Sequence, residues 1–332
     1  MASQALIKEF EQLLGKENVF SSEADCQSYS YDSAVLNPVV PAFVVRPTTT
    51  EQLGQCVSKL YENGIPMTVR GAGTNLSGGT IPDRSDTVVI LTNGLNRILE
   101  INESDLYAVV ECGVVTADFA NAVAAKNLLY PPDPGSQSVS TIGGNIAENA
   151  GGGNAVKYGV TMRYVLGLEV VLPTGEILTL GGKLMKDVSG YSLKELFVGS
   201  EGTLGYVTKI ILRLQPLMKN RAALLALFAD TETAIRAVPK MMAHGGIVPS
   251  SIEYIDAYCY RKACGFLNEE LPMEGVEAVL LVEVDGSNQE SLDMDIERAG
   301  EILSAEGAAE IYVADTRSTR ERIWSVRRNI DE

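Results

Sequence analysis

The chain has 332 residues, 45% of them hydrophobic, which predicts two domains with a sizeable core. A net charge of −16, from 43 acidic and 27 basic side chains, repels phosphate backbones and anionic lipid and excludes both as partners. A small anionic substrate therefore requires a local basic pocket.

In chain order, residues 5–15 read as an amphipathic helix without the apolar core of a signal peptide. Residues 42–46 read as a short strand closed by Pro47. A threonine cap within Thr48-Thr49-Thr50 opens a helix with an apolar face of Leu53, Cys56, Val57 and Leu60, which stops at Asn63-Gly64. A strand at 65–69 completes a parallel strand–helix–strand unit. Strands at 87–92 and 107–111 follow, then a helix from Thr116 to Asn127 and a long loop over 130–155 rich in Gly, Pro, Ser and Asn. Strands at 165–172 and 176–180 flank the turn Pro173-Thr174-Gly175-Glu176. A second glycine-rich loop covers 181–205, and strand 206–214 ends at Pro216.

Beyond Pro216 the glycine loops thin out. Strands at 222–229, 247–255, 277–285 and 310–314 alternate with helices at 231–243, 257–267, 288–305 and from 316, which predicts a separate α/β layer. The expected domains are 1–217 and 218–332. The only histidine, His244, falls at a helix C-terminus, so a multi-histidine metal site is excluded within the chain and no metal is expected. Five scattered cysteines without a Cys-x-x-Cys pair predict reduced thiols and a cytoplasmic protein. No apolar run approaches the roughly 18 residues of a membrane span.

Three glycine-rich segments carry the chemistry. The first, Arg70-Gly71-Ala72-Gly73-Thr74-Asn75-Leu76-Ser77-Gly78, follows a strand directly. Glycines let successive backbone N–H groups turn toward one point and cradle phosphate oxygens. It is neither a dinucleotide fingerprint nor a P-loop, because Leu76 stands where a third glycine belongs and no Gly-Lys-Ser/Thr follows. The second runs from Pro131-Pro132-Asp133-Pro134-Gly135-Ser136 through Thr141-Ile142-Gly143-Gly144-Asn145 to Asn149-Ala150-Gly151-Gly152. The third is Gly199-Ser200-Glu201-Gly202-Thr203-Leu204-Gly205-Tyr206-Val207. Three such loops in one domain point to a bound ligand.

In order and spacing these loops, with Lys157-Tyr158-Gly159 and Lys186-Asp187-Val188-Ser189-Gly190-Tyr191, resemble the vanillyl-alcohol-oxidase-type FAD domain. Within that family the similarity is greatest to FAD-linked D-lactate dehydrogenases and the flavin subunit of glycolate oxidase. The resemblance implies an α+β fold: a two-subdomain FAD-binding domain with FAD between the halves, followed by an incomplete ferredoxin-like cap. It implies that Arg70 to Gly78 cradle the diphosphate. Pro134, Gly135, Ser136, Thr141, Gly143, Gly144 and Asn145 then line the ribityl chain and isoalloxazine. Asn149, Gly151 and Gly152 pass along the flavin, with Gly202, Gly205 and Val207 near the adenine or the ring edge. Relatives with covalent flavin carry a histidine in the first loop; here Gly73-Thr74-Asn75 implies non-covalent FAD.

The implied reaction is oxidation of a small 2-hydroxy acid to the 2-keto acid, with hydride transfer to flavin N5. Electrons then pass to an acceptor such as an electron-transfer flavoprotein, an iron–sulfur subunit or a quinone. Trp324-Ser325-Val326-Arg327 resembles a cap-domain element whose arginine clamps the substrate carboxylate. A plain surface role for Arg327 stays open, with Arg328 its rival. Lys157, Tyr158, Arg163 and Tyr191 either hold a carboxylate or only brace loops. Family members extend further, with a histidine-containing metal site, so the chain is expected to be a truncated product or fragment. An inactive flavin-binding module that needs a partner chain is the alternative; a nucleotide-sugar reductase on the same fold is a weaker one.

Overall fold

The computed structural model describes residues 4–269 and 273–330. They form two compact units: Met1–Gly151 with Val160–Pro216, and Gly152–Gly159 with Leu217–Glu332. The chain thus divides after Pro216, and one short internal segment departs from the expected division. Gly152–Gly159 folds with the second unit because Lys157 and Tyr158 bond to Asp285 on that unit's central strand.

Among the described residues the first unit contains three sheets, the smallest a two-stranded antiparallel pairing of Leu128–Leu129 with Gln215–Pro216. Phe43–Val45 and Met67–Arg70 both pair in parallel with Val88–Leu91, which lies between them, and Val19–Phe20 adds an antiparallel edge. The helix Thr50–Glu62 connects two of these strands; Thr49 caps it by accepting from the Gln52 N–H at 3.2 Å. Its Leu53, Cys56, Val57 and Leu60 are fully buried with Phe10, Phe43 and Ile90. Each such side chain stabilises the unit by roughly 1.5–3 kcal/mol.

The second sheet is antiparallel, in the order Ile98–Asn102, Tyr107–Glu111, Tyr206–Arg213, Val165–Val171, Ile177–Gly181. Its hairpin turns at Gly175, with φ +90°, and Ser58 donates to the Thr174 carbonyl at 2.7 Å, docking the turn on the helix Thr50–Glu62. Of the elements that depart from expectation, two bear on the site. Ile98–Asn102 is a strand that the sequence reading passes over. Residues 142–148, read as loop, form a helix capped by Thr141, whose hydroxyl accepts from the Gly144 N–H. Its glycines mask the helical pattern, and packing decides: Gly143 lies so close to the Cys112 backbone that its N–H reaches the Cys112 carbonyl at 2.7 Å.

The second unit is a four-stranded antiparallel sheet in the order Ser251–Asp256, Ala278–Gly286, Asn220–Phe228, Ala308–Ala314. That order is ferredoxin-like. The helices Thr231–Pro239 and Gln289–Ala305 share one apolar core with Leu224, Phe228, Leu280 and Val282. Ala257–Leu267 and Arg317–Arg328 cover the opposite face around Leu225, Val279 and Leu281. Pro239 ends its helix, and a π-helical turn over Lys240–His244 leaves His244 exposed.

Candidate functional site

A cleft of about 290 Å³ opens in the first unit. Gly71–Leu76, Gly79 and Thr80 supply one wall, at the end of the parallel strand Met67–Arg70. The facing wall comes from Cys112, Pro134, Ser136, Thr141, the capped helix at Gly143–Asn145, and the loop from Ser200 to Val207.

None of the backbone N–H groups from Gly71 to Leu76 donates to another described residue. Five consecutive half-buried residues, Gly71–Asn75, carry donors without partners; these call for an acceptor, and a phosphate fits them. The glycines divide by role. A Cβ on Gly143 would stand 2.6 Å from Cys112 Cβ, and one on Gly205 would stand 2.9 Å from the Val171 carbonyl, so the fold itself requires both. Gly73, at φ +75°, is hemmed in by the Arg70 guanidinium. A Cβ on Gly144 would meet only Thr141 Oγ1, at 3.3 Å, and one on Gly202 would meet nothing within 4 Å. Those two positions keep the cleft open.

No Lys, Arg or His lines this cleft among the described residues, but Glu148 and Glu201 do. Burial and the neighbouring Glu201 push the Glu148 carboxyl above the usual range. Burial raises the Cys112 thiol to about 12 and the Tyr206 phenol to about 12, so both stay protonated and neutral. The sequence reading missed Cys112, Glu148, Glu201 and Tyr206. The two glutamates stand in the glycine loops themselves, which is a signal. Cys112 and Tyr206 sit at strand ends, where only topology reveals their aim.

Several expected ligands face elsewhere. Arg70 does not line the cleft: its Nη1 donates to the Tyr31 carbonyl at 2.6 Å and the guanidinium stacks 5.8 Å from the Tyr29 ring. It braces the first loop from behind. Asn149, left-handed at φ +49°, ends the helix, and its Oδ1 accepts from the Met162 N–H at 2.9 Å. Ser77, Gly78, Gly135 and Gly151 lie outside the lining, and Gly152 belongs to the second unit.

The second unit carries a polar cluster on one sheet face. Asp285, with a fully buried side chain, accepts from Lys157 Nζ at 2.5 Å and Tyr158 Oη at 2.7 Å. Glu283 takes Arg221 at 3.3 Å and the Trp324 indole N–H at 2.7 Å. Glu253 accepts from Arg327 Nε at 2.8 Å. Of the open candidates, Lys157 and Tyr158 are therefore loop braces. Arg163 is exposed, Tyr191 is 94% exposed, and Arg328 lies over the Trp324 ring at 5.9 Å. Among the described residues no group of three or more His, Cys, Asp or Glu is arranged to hold a metal.

Residues 41–181 match the FAD binding domain family and residues 217–332 match the C-terminal domain of FAD linked oxidases. The glycolate oxidase subunit GlcD of Bacillus subtilis (strain 168) is 41% identical over 318 residues, covering 96% of this chain and 67% of the relative. The D-lactate dehydrogenase of Anaerostipes hadrus is 36% identical over 328 residues, 97% of this chain and 68% of that one. GlcD of Escherichia coli (strain K12) is 36% identical over 311 residues, covering 94% and 61%. The chain spans about two thirds of the length of these relatives. Among solved structures, alkyldihydroxyacetonephosphate synthase superposes with TM-score 0.81 at 17% identity, covering 99% of this chain and 65% of that one. p-Cresol methylhydroxylase superposes with TM-score 0.77 at 20% identity, covering 96% and 69%.

Fold and cleft together define a vanillyl-alcohol-oxidase-type FAD-binding domain followed by a ferredoxin-like domain. The chain belongs to the FAD-linked oxidase family, a family of flavin-dependent oxidoreductases. Its cleft suits the cofactor. The unpartnered N–H groups of the first loop offer the diphosphate a seat without any cation, and the open positions at Gly144 and Gly202 leave room for a flat ring.

Proposed function

We propose that this chain oxidises a small 2-hydroxy acid, D-lactate or glycolate, to the 2-keto acid, with FAD held non-covalently. What carries the reading is that relatives named for glycolate oxidase and for D-lactate dehydrogenase align across nearly the whole chain, and both names denote oxidation of a small 2-hydroxy acid. Bound FAD supplies the acceptor for the hydride on the substrate's Cα. The protein's part is binding and orientation. Gly71–Leu76 donate N–H groups to the diphosphate. Gly143–Asn145, Pro134–Ser136, Gly202, Gly205 and Val207 shape the cavity for the ring and ribityl chain. Arg327 offers a guanidinium fork to the substrate carboxylate. It supplies the local positive charge that a chain of net charge −16 needs for an anionic substrate. A protein partner takes the electrons; two relatives are named as subunits of glycolate oxidase. None of the five cysteines forms a disulfide, which suits a cytoplasmic setting.

A second reading is a flavin-binding module that needs further polypeptide for turnover. The coverage of about two thirds of the relatives supports it. An absorbance spectrum after desalting, then anaerobic addition of D-lactate and of glycolate, separates the two. Bleaching by either acid establishes the oxidation. A yellow protein that stays yellow supports the module, and a colourless protein that takes up no added FAD overturns both.

A further inference from the structure

Arg327 is held at one edge only. Its Nε donates to Glu253 Oε2, and neither Nη nitrogen has a partner among the described residues. The other acids of the cluster are committed elsewhere, Glu283 to Arg221 and Trp324, and Asp285 to Lys157 and Tyr158. Glu253 lies on the edge strand Ser251–Asp256, a firmer base than a loop, and is itself mostly buried. Gly153 passes beside it: a Cβ there would come within 3.4 Å of Glu253 Oε1 and 3.0 Å of Trp324. The hydroxyl of Ser251, two residues before Glu253, is buried without a partner, so polar capacity in this neighbourhood is unspent.

We propose that Glu253 is the positioning residue of the Arg327 clamp. This rests on the reading that Arg327 holds the substrate carboxylate. A free arginine side chain samples many rotamers, and fixing them at the moment of binding costs affinity. A carboxylate on Nε removes that freedom beforehand and leaves the two Nη groups as a bidentate donor pair. The same carboxylate also places a negative charge beside an anionic substrate, which opposes binding. Orientation and charge therefore act with opposite sign, and two substitutions separate them. Glu253→Gln keeps an oxygen acceptor for Nε and removes the charge. Glu253→Ala removes both.

The test is binding of oxalate, an unreactive anion of the substrate class, to the FAD-loaded chain, by titration calorimetry and by perturbation of the flavin spectrum. In Glu253→Ala the loss of a charge-assisted contact outweighs the relief of repulsion, and oxalate binds about tenfold more weakly on balance. Loss of repulsion alone makes Glu253→Gln bind about threefold to tenfold more tightly. Arg327→Met abolishes binding, and all three variants retain wild-type FAD content. If Ala and Gln both tighten binding, Glu253 contributes charge and not orientation, and the proposal fails. It also fails if neither changes binding while Arg327→Met does, which leaves the Arg327 reading intact. Wild-type affinity in Arg327→Met, or no oxalate binding by the wild type, overturns the Arg327 reading itself.

Discussion

Gly143 and Gly144 are neighbours in one helix and are glycines for different reasons. At Gly143 a Cβ enters the wall formed by Cys112; at Gly144 it enters the cleft. Gly143→Ala is expected to destabilise the first unit by about 1–3 kcal/mol through overpacking. Gly144→Leu sits in a helix, where replacing glycine gains up to about 1 kcal/mol of propensity. It should melt at or above the wild-type temperature in the absence of flavin, yet retain no FAD. Thermal melting of the apoprotein and flavin content after desalting check the pair; a yellow Gly144→Leu protein would sink the placement of the flavin. Cys112 adds a pH effect. Its thiol titrates near 9.0 when unfolded and only at about 12 when folded. Above pH 9 the unfolded chain has lost a proton that the native state keeps, so stability falls as pH rises between those values, by up to about 1.4 kcal/mol per pH unit. Cys56, also raised to about 12 by burial, acts in the same direction. Cys112→Ser should flatten the decline without abolishing it, as read from urea midpoints at pH 8, 9 and 10.

Among the elements, the segment Gly152–Gly159 has the least predictable position. The residues that flank it belong to the first unit and are tied together there, because Thr161 donates to the Ala150 carbonyl from its N–H at 3.0 Å and its hydroxyl at 2.7 Å. Its Lys157 and Tyr158 close on buried Asp285 in the second. Removing one partner of a buried ion pair leaves the other uncompensated. Asp285→Asn should therefore speed amide exchange in residues 152–159 by about tenfold as local opening becomes cheaper. Exchange in the helices Thr231–Pro239 and Gln289–Ala305 should stay near wild type. Exchange unchanged over 152–159 would mean that Asp285 does not hold the segment. Nothing in the local pattern Asn154-Ala155-Val156-Lys157-Tyr158 announces this attachment. The helix at 142–148 was hidden for a related reason: two glycines in its first turn lower its propensity, and the cap on Thr141 with packing on Cys112 restores it.

Over the whole molecule, the resemblance of its motifs to a known family implied the FAD cofactor, and the sequence by itself determined nearly every strand and helix of the second unit and the three glycine-rich segments. Those features are local: periodicity, caps and runs of glycine act over a few residues and need no partner elsewhere. What only the tertiary structure decided is which groups are free. Arg70 is spent on Tyr31, 39 residues away, and Lys157 on Asp285, 128 residues away, while the N–H groups of Gly71–Leu76 and the Nη edge of Arg327 remain unbonded among the described residues. Whether a donor serves a ligand or its own chain depends on which distant segment folds against it. Sequence spacing carries no record of such pairing, because hydrogen bonds and ion pairs form by distance in space and not by order along the chain.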